Sequence, residues 1–234
     1  MSLDEAESAE ATTALIKQAY EGGVNFFDTA RSAPESEMRL GEALKDWRED
    51  VFLATKSAAH TADELEADLH ASLAALQTDY VDLFQLENAS FVPRFGANDG
   101  IVNKLLALKA DGVIRHFGIM TEDITVAQGV LFSEVPWETL QYPFNMLCTE
   151  DVEILAKSCA ERDIGFIAMR PLCGGVLTNI PLALGYLYQF ENAVPVWGVH
   201  SSEELQQILY FSDNPPVIDE QFNEETAKIR AFFN

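Results

Sequence analysis

Positive charge is scarce in this chain: 15 Lys+Arg stand against 38 Asp+Glu, a formal net charge of −23. A field of that sign repels nucleic acid and anionic membrane, which are recruited by basic footprints, so neither is expected as a partner. The acidic residues are dispersed rather than gathered in a tail, the pattern of solvated helix faces in an acidic protein, and adaptation to high salt would look similar. Cysteine is also scarce. Cys148, Cys159 and Cys173 are odd in number and match no C-x-x-C metal or redox spacing, so reduced structural thiols are expected and no iron–sulfur or zinc site is. No run of 18 apolar residues occurs, which excludes a transmembrane helix from the reading. The segment Met1 to Ala11 is acidic rather than basic and apolar, unlike a secretory leader. A soluble cytoplasmic protein is the expectation. No G-x-G-x-x-G follows any predicted strand, which weakens an open dinucleotide-binding sheet.

What is present is alternation. Helical spacing over Ala11 to Glu21 closes at Gly22-Gly23, and Val24 to Asp28 reads as a buried strand. The pattern continues with a helix over Ser36 to Lys45 and a strand over Val51 to Lys56. Thr61-Ala62-Asp63-Glu64 resembles a capping box that opens a helix to about Leu76. Strands follow over Tyr80 to Leu86, Ile114 to Ile119, Glu138 to Tyr142, Gly165 to Met169 and Val194 to Val199. Helices are predicted over Asn103 to Ala110, Ile124 to Phe132, Glu150 to Arg162, Leu182 to Tyr188, Ser202 to Leu209 and Glu224 to Phe232. Strict alternation of this kind predicts an α/β fold with a parallel sheet and helices outside it. At 234 residues the chain is near the roughly 250 of a (β/α)8 TIM barrel, so residues 1–234 are read as one domain. The loop from Asn88 to Gly100 is the longest irregular piece and follows a strand, where barrel enzymes build their sites.

Seven segments in order resemble the aldo-keto reductase superfamily, and the segment Ile167 to Gly175 has the form typical of its bacterial and archaeal branch. They are Gly23-Val24-Asn25-Phe26-Phe27-Asp28-Thr29-Ala30 with Ser36-Glu37, Leu53-Ala54-Thr55-Lys56, and Asp79 to Leu86. Gly112 to Ile119, Gln141-Tyr142-Pro143-Phe144-Asn145, Ile167 to Gly175 and the loop Gly198 to Ser202 complete the set. The match runs over roughly residues 11 to 209. The first barrel strand and the preceding hairpin floor have no counterpart before the Ala11 helix.

The resemblance implies a catalytic tetrad of aspartate, lysine, tyrosine and histidine, of which only half is kept. Asp28 and Lys56 match the aspartate and lysine. The tyrosine position is Ala33 and the histidine position is Glu87. Steroid double-bond reductases of the family also place glutamate at the histidine position, but they keep the tyrosine. A general acid must reach the carbonyl oxygen within hydrogen-bond distance, and Ala33 has no proton to give. Glu87 in the barrel mouth could act as the acid itself, with Ser32 and His60 as further candidates nearby. The bland reading of Asp28, Lys56 and Glu87 is a leftover ion cluster that holds the rim together.

For a nicotinamide cofactor, NADP or NAD, the resemblance points to Thr121, Gln141, Arg170, Pro171 and Leu172, and to His200, Ser201 and Ser202 after the last strand. No lysine or arginine stands in that last loop to pair with a 2′-phosphate, which favours NADH unless Arg170 reaches it. Phe91, Phe95 and Trp197 are candidate pocket aromatics, whereas Phe26, Phe27 and Phe166 are read as packing. The function expected is an NAD(P)-dependent oxidoreductase acting on a small carbonyl compound. Two other readings stay open: a noncatalytic ligand-binding relative, and a lysine-based proton-transfer enzyme.

Overall fold

The computed structural model describes residues 2–3, 8–87 and 89–233. Residues 1 and 4–7 of the acidic start Met1 to Ala11, and Asn88 at the head of the long loop, lie outside these residues. Seven parallel strands form one sheet in sequence order: β2 (Phe26–Asp28), β3 (Phe52–Ser57), β4 (Val81–Leu86), β5 (Ile114–Met120), β6 (Thr139–Pro143), β7 (Gly165–Met169) and β8 (Ala193–Val196). A helix lies between each successive pair: α2 (Pro34–Leu44), α3 (Ala62–Leu76), α4 (Ile101–Ala110), α5 (Ile124–Leu131), α6 (Glu150–Ala160) and α7 (Ile180–Leu187). Helix α1 (Ala9–Glu21) precedes β2, and α8 (Ser202–Asp213) and α9 (Glu220–Phe233) follow the sheet. The sheet is a nearly closed (β/α)8-type barrel.

The absence of a first strand is corrected in part. Ser2–Leu3 forms a short strand β1 that pairs in parallel with β9 (Gly198–Val199), in the register Ser2↔Gly198 and Leu3↔Val199. Two residues carry no alternation that a sequence reading could use. Among the described residues no ladder joins β1 to β2, so the barrel keeps a seam there.

In strands β2 to β8 the side chains alternate between two cores. The larger lies between sheet and helices and takes Phe27, Leu53, Phe84, Phe117, Leu140 and Phe166 from the strands. The smaller fills the barrel interior with Ala54, Leu83, Ile167 and Val196, against which Phe26 packs. Trp197, a candidate pocket aromatic, belongs to the outer core, because it falls on the outward phase between Val196 and Gly198.

Helix starts follow local chemistry. The Thr61 hydroxyl accepts the Glu64 N–H at 3.3 Å, and Glu64 Oε2 accepts the His60 N–H at 3.0 Å, which caps α3. Helices α2 and α3 meet at Gly41, where an added Cβ would stand 2.6 Å from the backbone carbon of Leu76. All three cysteines are free, and burial pushes the Cys159 thiol up to about 12.

Two tests follow from this packing. Gly41→Ala should cost about 1–3 kcal/mol of stability in urea denaturation, since backbone and not a flexible side chain must give way; an unchanged midpoint would show that α2 shifts freely. Cys159 should resist iodoacetamide at pH 7.5 until the chain is unfolded, read by peptide mapping, because little thiolate exists to react.

Candidate active site

The sheet register brings the predicted charges together. Asp28 closes β2 opposite Ala54, and Lys56 stands opposite Gln85, two residues on from Ala54 along the same inward phase of β3. Lys56 Nζ donates to Asp28 Oδ1 at 2.6 Å and to the Thr29 carbonyl at 2.7 Å. The two side chains are 6% and 4% exposed, so this ion pair is cut off from water. Removing such charges from water costs several kcal/mol per ion, and only close pairing with full hydrogen bonding offsets it.

The remaining bonds come from two amides that the register places alongside. Gln141 Nε2 donates to Asp28 Oδ2 at 3.0 Å, Gln85 Nε2 donates to Gln141 Oε1 at 2.6 Å, and the Thr139 hydroxyl donates to Gln85 Oε1 at 3.2 Å. Gly118 makes room for this row, since a Cβ there would lie 1.9 Å from Thr139 Oγ1. A polar chain therefore crosses the barrel from Thr139 to Lys56.

Glu87 follows β4 and donates its N–H to the Ser57 carbonyl. Its Oε1 accepts the Ser32 hydroxyl at 2.9 Å, and its buried Oε2 has no hydrogen-bond partner among the described residues. Ala33 lies at the N-cap of α2 with φ −121 and gives no side-chain cap. The loop that carries it is pinned from behind: Glu37 is fully buried, accepts the Thr55 hydroxyl at 2.8 Å and pairs with Arg31 Nη1 at 2.6 Å. His60 is exposed and stacks near Phe91 at a ring distance of 6.1 Å.

A cavity of about 370 Å3 opens at the strand C-termini and is lined by Asp28, Gln141, Arg170, Pro171, Leu172 and His200, among others. Met120, Gly174, Gly175 and Glu204 belong to the same wall. Thr121 does not reach it. Its hydroxyl donates to the Ala89 carbonyl at 2.8 Å and accepts the Asp123 N–H, which holds the loop after β5. Ser201 caps α8 by accepting the Glu204 N–H, and the Ser202 hydroxyl donates to Gln18 Oε1 at 2.7 Å. Arg170 is held by Glu122 through two bonds, of 2.9 and 2.6 Å. Phe91 and Phe95 line a separate groove, of about 510 Å3, with Phe132. Gln85 and Glu122 were not singled out as site residues from the sequence; only Gln85 carried a signal, its place beside Lys56 once strands are paired in parallel.

The fold is that of a known family. The family model described as "Aldo/keto reductase family" matches residues 1–181, and the chain belongs to that family. Among curated relatives, the Bacillus subtilis oxidoreductase YqkF is 28% identical over 184 residues, covering 72% of this chain and 58% of that protein. The L-galactose dehydrogenase of Arabidopsis thaliana is 28% identical over 211 residues, covering 81% and 60%. The chain thus spans less than two thirds of these relatives' lengths. An aldo-keto reductase from Klebsiella pneumoniae, solved in complex with NADPH, superposes with a TM-score of 0.81 at 19% identity, covering 95% of this chain and 85% of that one.

The buried pair sets a stability test. Lys56→Met should cost about 3–5 kcal/mol by stranding Asp28, whereas Lys56→Met with Asp28→Asn should recover most of that loss. A single variant as stable as the double would mean that water reaches Asp28.

Proposed function

We propose that this chain is an NAD(P)-dependent oxidoreductase of the aldo/keto reductase family acting on a small carbonyl compound. The observation that carries this reading is the dry Lys56–Asp28 pair, extended through Gln141, with Asp28 and Gln141 on the wall of the cavity at the strand ends. A preorganised cation shielded from water stabilises the charge that develops on a carbonyl oxygen. The NADPH bound by the Klebsiella protein and the dehydrogenase named in Arabidopsis support the same class of reaction.

The residues present fit a nicotinamide dinucleotide. Gln141 keeps one amide N–H and one carbonyl lone pair beyond those spent on Asp28 and Gln85, which suits a carboxamide. Gly174 and Gly175, at φ 66 and 88, leave open space where side chains would stand. Arg170, Pro171 and Leu172 extend that wall. The start of α8, with Ser201 and Ser202, offers backbone N–H groups suited to phosphate oxygens, and His200 lines the wall beside it with its own N–H bonded to Glu204. Thr121 contributes by fixing the loop beside β6. When bound, the cofactor supplies hydride to the carbonyl carbon.

The chain's own task is to hold the carbonyl oxygen near Lys56 and to deliver a proton. Ala33 cannot do so. We assign that proton to Glu87, whose Oε1 accepts from Ser32 and whose Oε2 is unpartnered among the described residues, with a water as the alternative. The absent hydroxyl at Ala33 also favours a second reading, a relative that binds its ligand without turnover.

Nicotinamide absorbance with a panel of small aldehydes tests both. Slow turnover is expected, falling at least about 100-fold in Lys56→Met. Ala33→Tyr with Glu87→His should raise kcat by roughly 10²–10⁴, the contribution of a positioned acid. Turnover in the restored variant alone selects the noncatalytic reading. No turnover in either, with no dinucleotide binding by calorimetry, overturns the assignment.

A further inference from the structure

The 38 carboxylates of this chain outnumber its 15 basic side chains, and nearly every cation is taken. Twelve lysines and arginines reach a carboxylate, and Lys17 and Lys157 stand over the rings of Trp47 and Phe190. Arg94 does neither. Among the described residues its guanidinium has no hydrogen bond, ion pair or ring contact.

Arg94 lines the groove of about 510 Å3 between the loop after β4 and the end of α5. This groove shares no residue with the cavity that carries Asp28 and Gln141. Three rings stand in its wall: Phe91, Phe95 and Phe132 are 36%, 48% and 78% exposed. Rings left in water around one concavity mark a place where something packs. The walls are set before anything enters. The loop starts on Ala89, whose N–H reaches the Met120 carbonyl and whose own carbonyl accepts the Thr121 hydroxyl. It lies close to α5 because Gly129 is bare: a Cβ there would stand 3.1 Å from Val92 Cγ2. On the α5 side the Ser133 hydroxyl accepts the Val135 N–H at 3.1 Å and Trp137 Nε1 at 3.3 Å, which holds the segment carrying Glu134. Glu134 lines the groove as well, and among the described residues no ion pair joins it to Arg94.

We infer that this groove is a second ligand site, for a small zwitterion with an aromatic ring, the chemistry of a free amino acid such as phenylalanine. Arg94 meets the carboxylate, since a guanidinium presents a planar fork of donors to that group. Glu134 meets the ammonium, and Phe91, Phe95 and Phe132 take the ring. A plain carboxylate would face Glu134 and the field of a chain at −23, whereas a zwitterion brings no net charge. A purely apolar molecule would take water from both charges and return no partner. The volume falls within the roughly 300–1,000 Å3 of small-ligand sites. The inference does not rest on the oxidoreductase reading, because no residue of the groove enters it.

Calorimetric titration of the whole chain with phenylalanine, 3-phenylpropionate and phenethylamine tests this, since each of the last two lacks one charge. Phenylalanine should saturate one site and bind at least about tenfold tighter than either analogue, the size of one charged hydrogen bond. Arg94→Leu should remove its advantage over phenethylamine, and Glu134→Gln its advantage over 3-phenylpropionate. Phe132→Ala should weaken all three. The substituted side chains are exposed, so the urea midpoint should hold and lost binding reads as lost contact. Three results overturn the inference: no saturation by phenylalanine at millimolar concentration, 3-phenylpropionate binding as tightly as phenylalanine, or phenylalanine binding unchanged in Arg94→Leu.

Discussion

The buried contact between Lys56 and Asp28 sets the terms for the rest of the barrel mouth. Two full charges inside a sheet demand that every remaining lone pair and proton be met. The Thr29 carbonyl takes a second Lys56 proton, and Gln141 takes the second Asp28 oxygen. That commitment spreads, because a buried amide is as demanding as a charge in geometry. Gln141 needs Gln85, Gln85 needs Thr139, and Thr139 needs Gly118 to be bare. Five strands, β2 to β6, thus carry residues chosen by one electrostatic problem.

The loop after β2 answers to a different pair. Glu37 on α2, fully buried between Arg31 and Thr55, fixes the backbone on the far side of β3 from Lys56. The Arg31 N–H also reaches the Lys56 carbonyl at 2.8 Å, so the loop is tied to β3 at backbone level. These contacts fix the path of the chain past Ala33 without a tyrosine side chain there. The shape of the mouth and the presence of an acid in it are separable properties.

Much of this was legible in the sequence. Strands buried on both faces read as short apolar runs, and Val81 to Leu86 shows why: all six residues are buried. The capping box at Thr61 to Glu64 was visible because its partners are three residues apart. Asp28 and Lys56 could be paired only through the family resemblance, and the register then put them in contact. What stayed hidden was contact between distant loops. Glu122 and Arg170 are separated by 48 residues, and neither local pattern nor periodicity links them. Trp197, a candidate pocket aromatic, packs in the outer core instead, since a residue between two short strands has too few neighbours to reveal which core it faces.

The two ends of the barrel's polar chemistry share a local device with different consequences. His60-Thr61 with Glu64 and His200-Ser201 with Glu204 are the same arrangement: a hydroxyl takes the N–H of the glutamate, and the glutamate takes the N–H of the histidine. At α3 this only starts a helix. At α8 the same glutamate lies in the wall of the cavity, so a cap becomes part of a binding surface. Its presence needs no explanation beyond helix formation, yet its charge acts on whatever enters. In a chain with a net charge of −23, few cations are available to offset it, and Arg170 is already bonded to Glu122. An anionic group entering this cavity would meet the Glu204 carboxylate beside the partial positive charge of the α8 start.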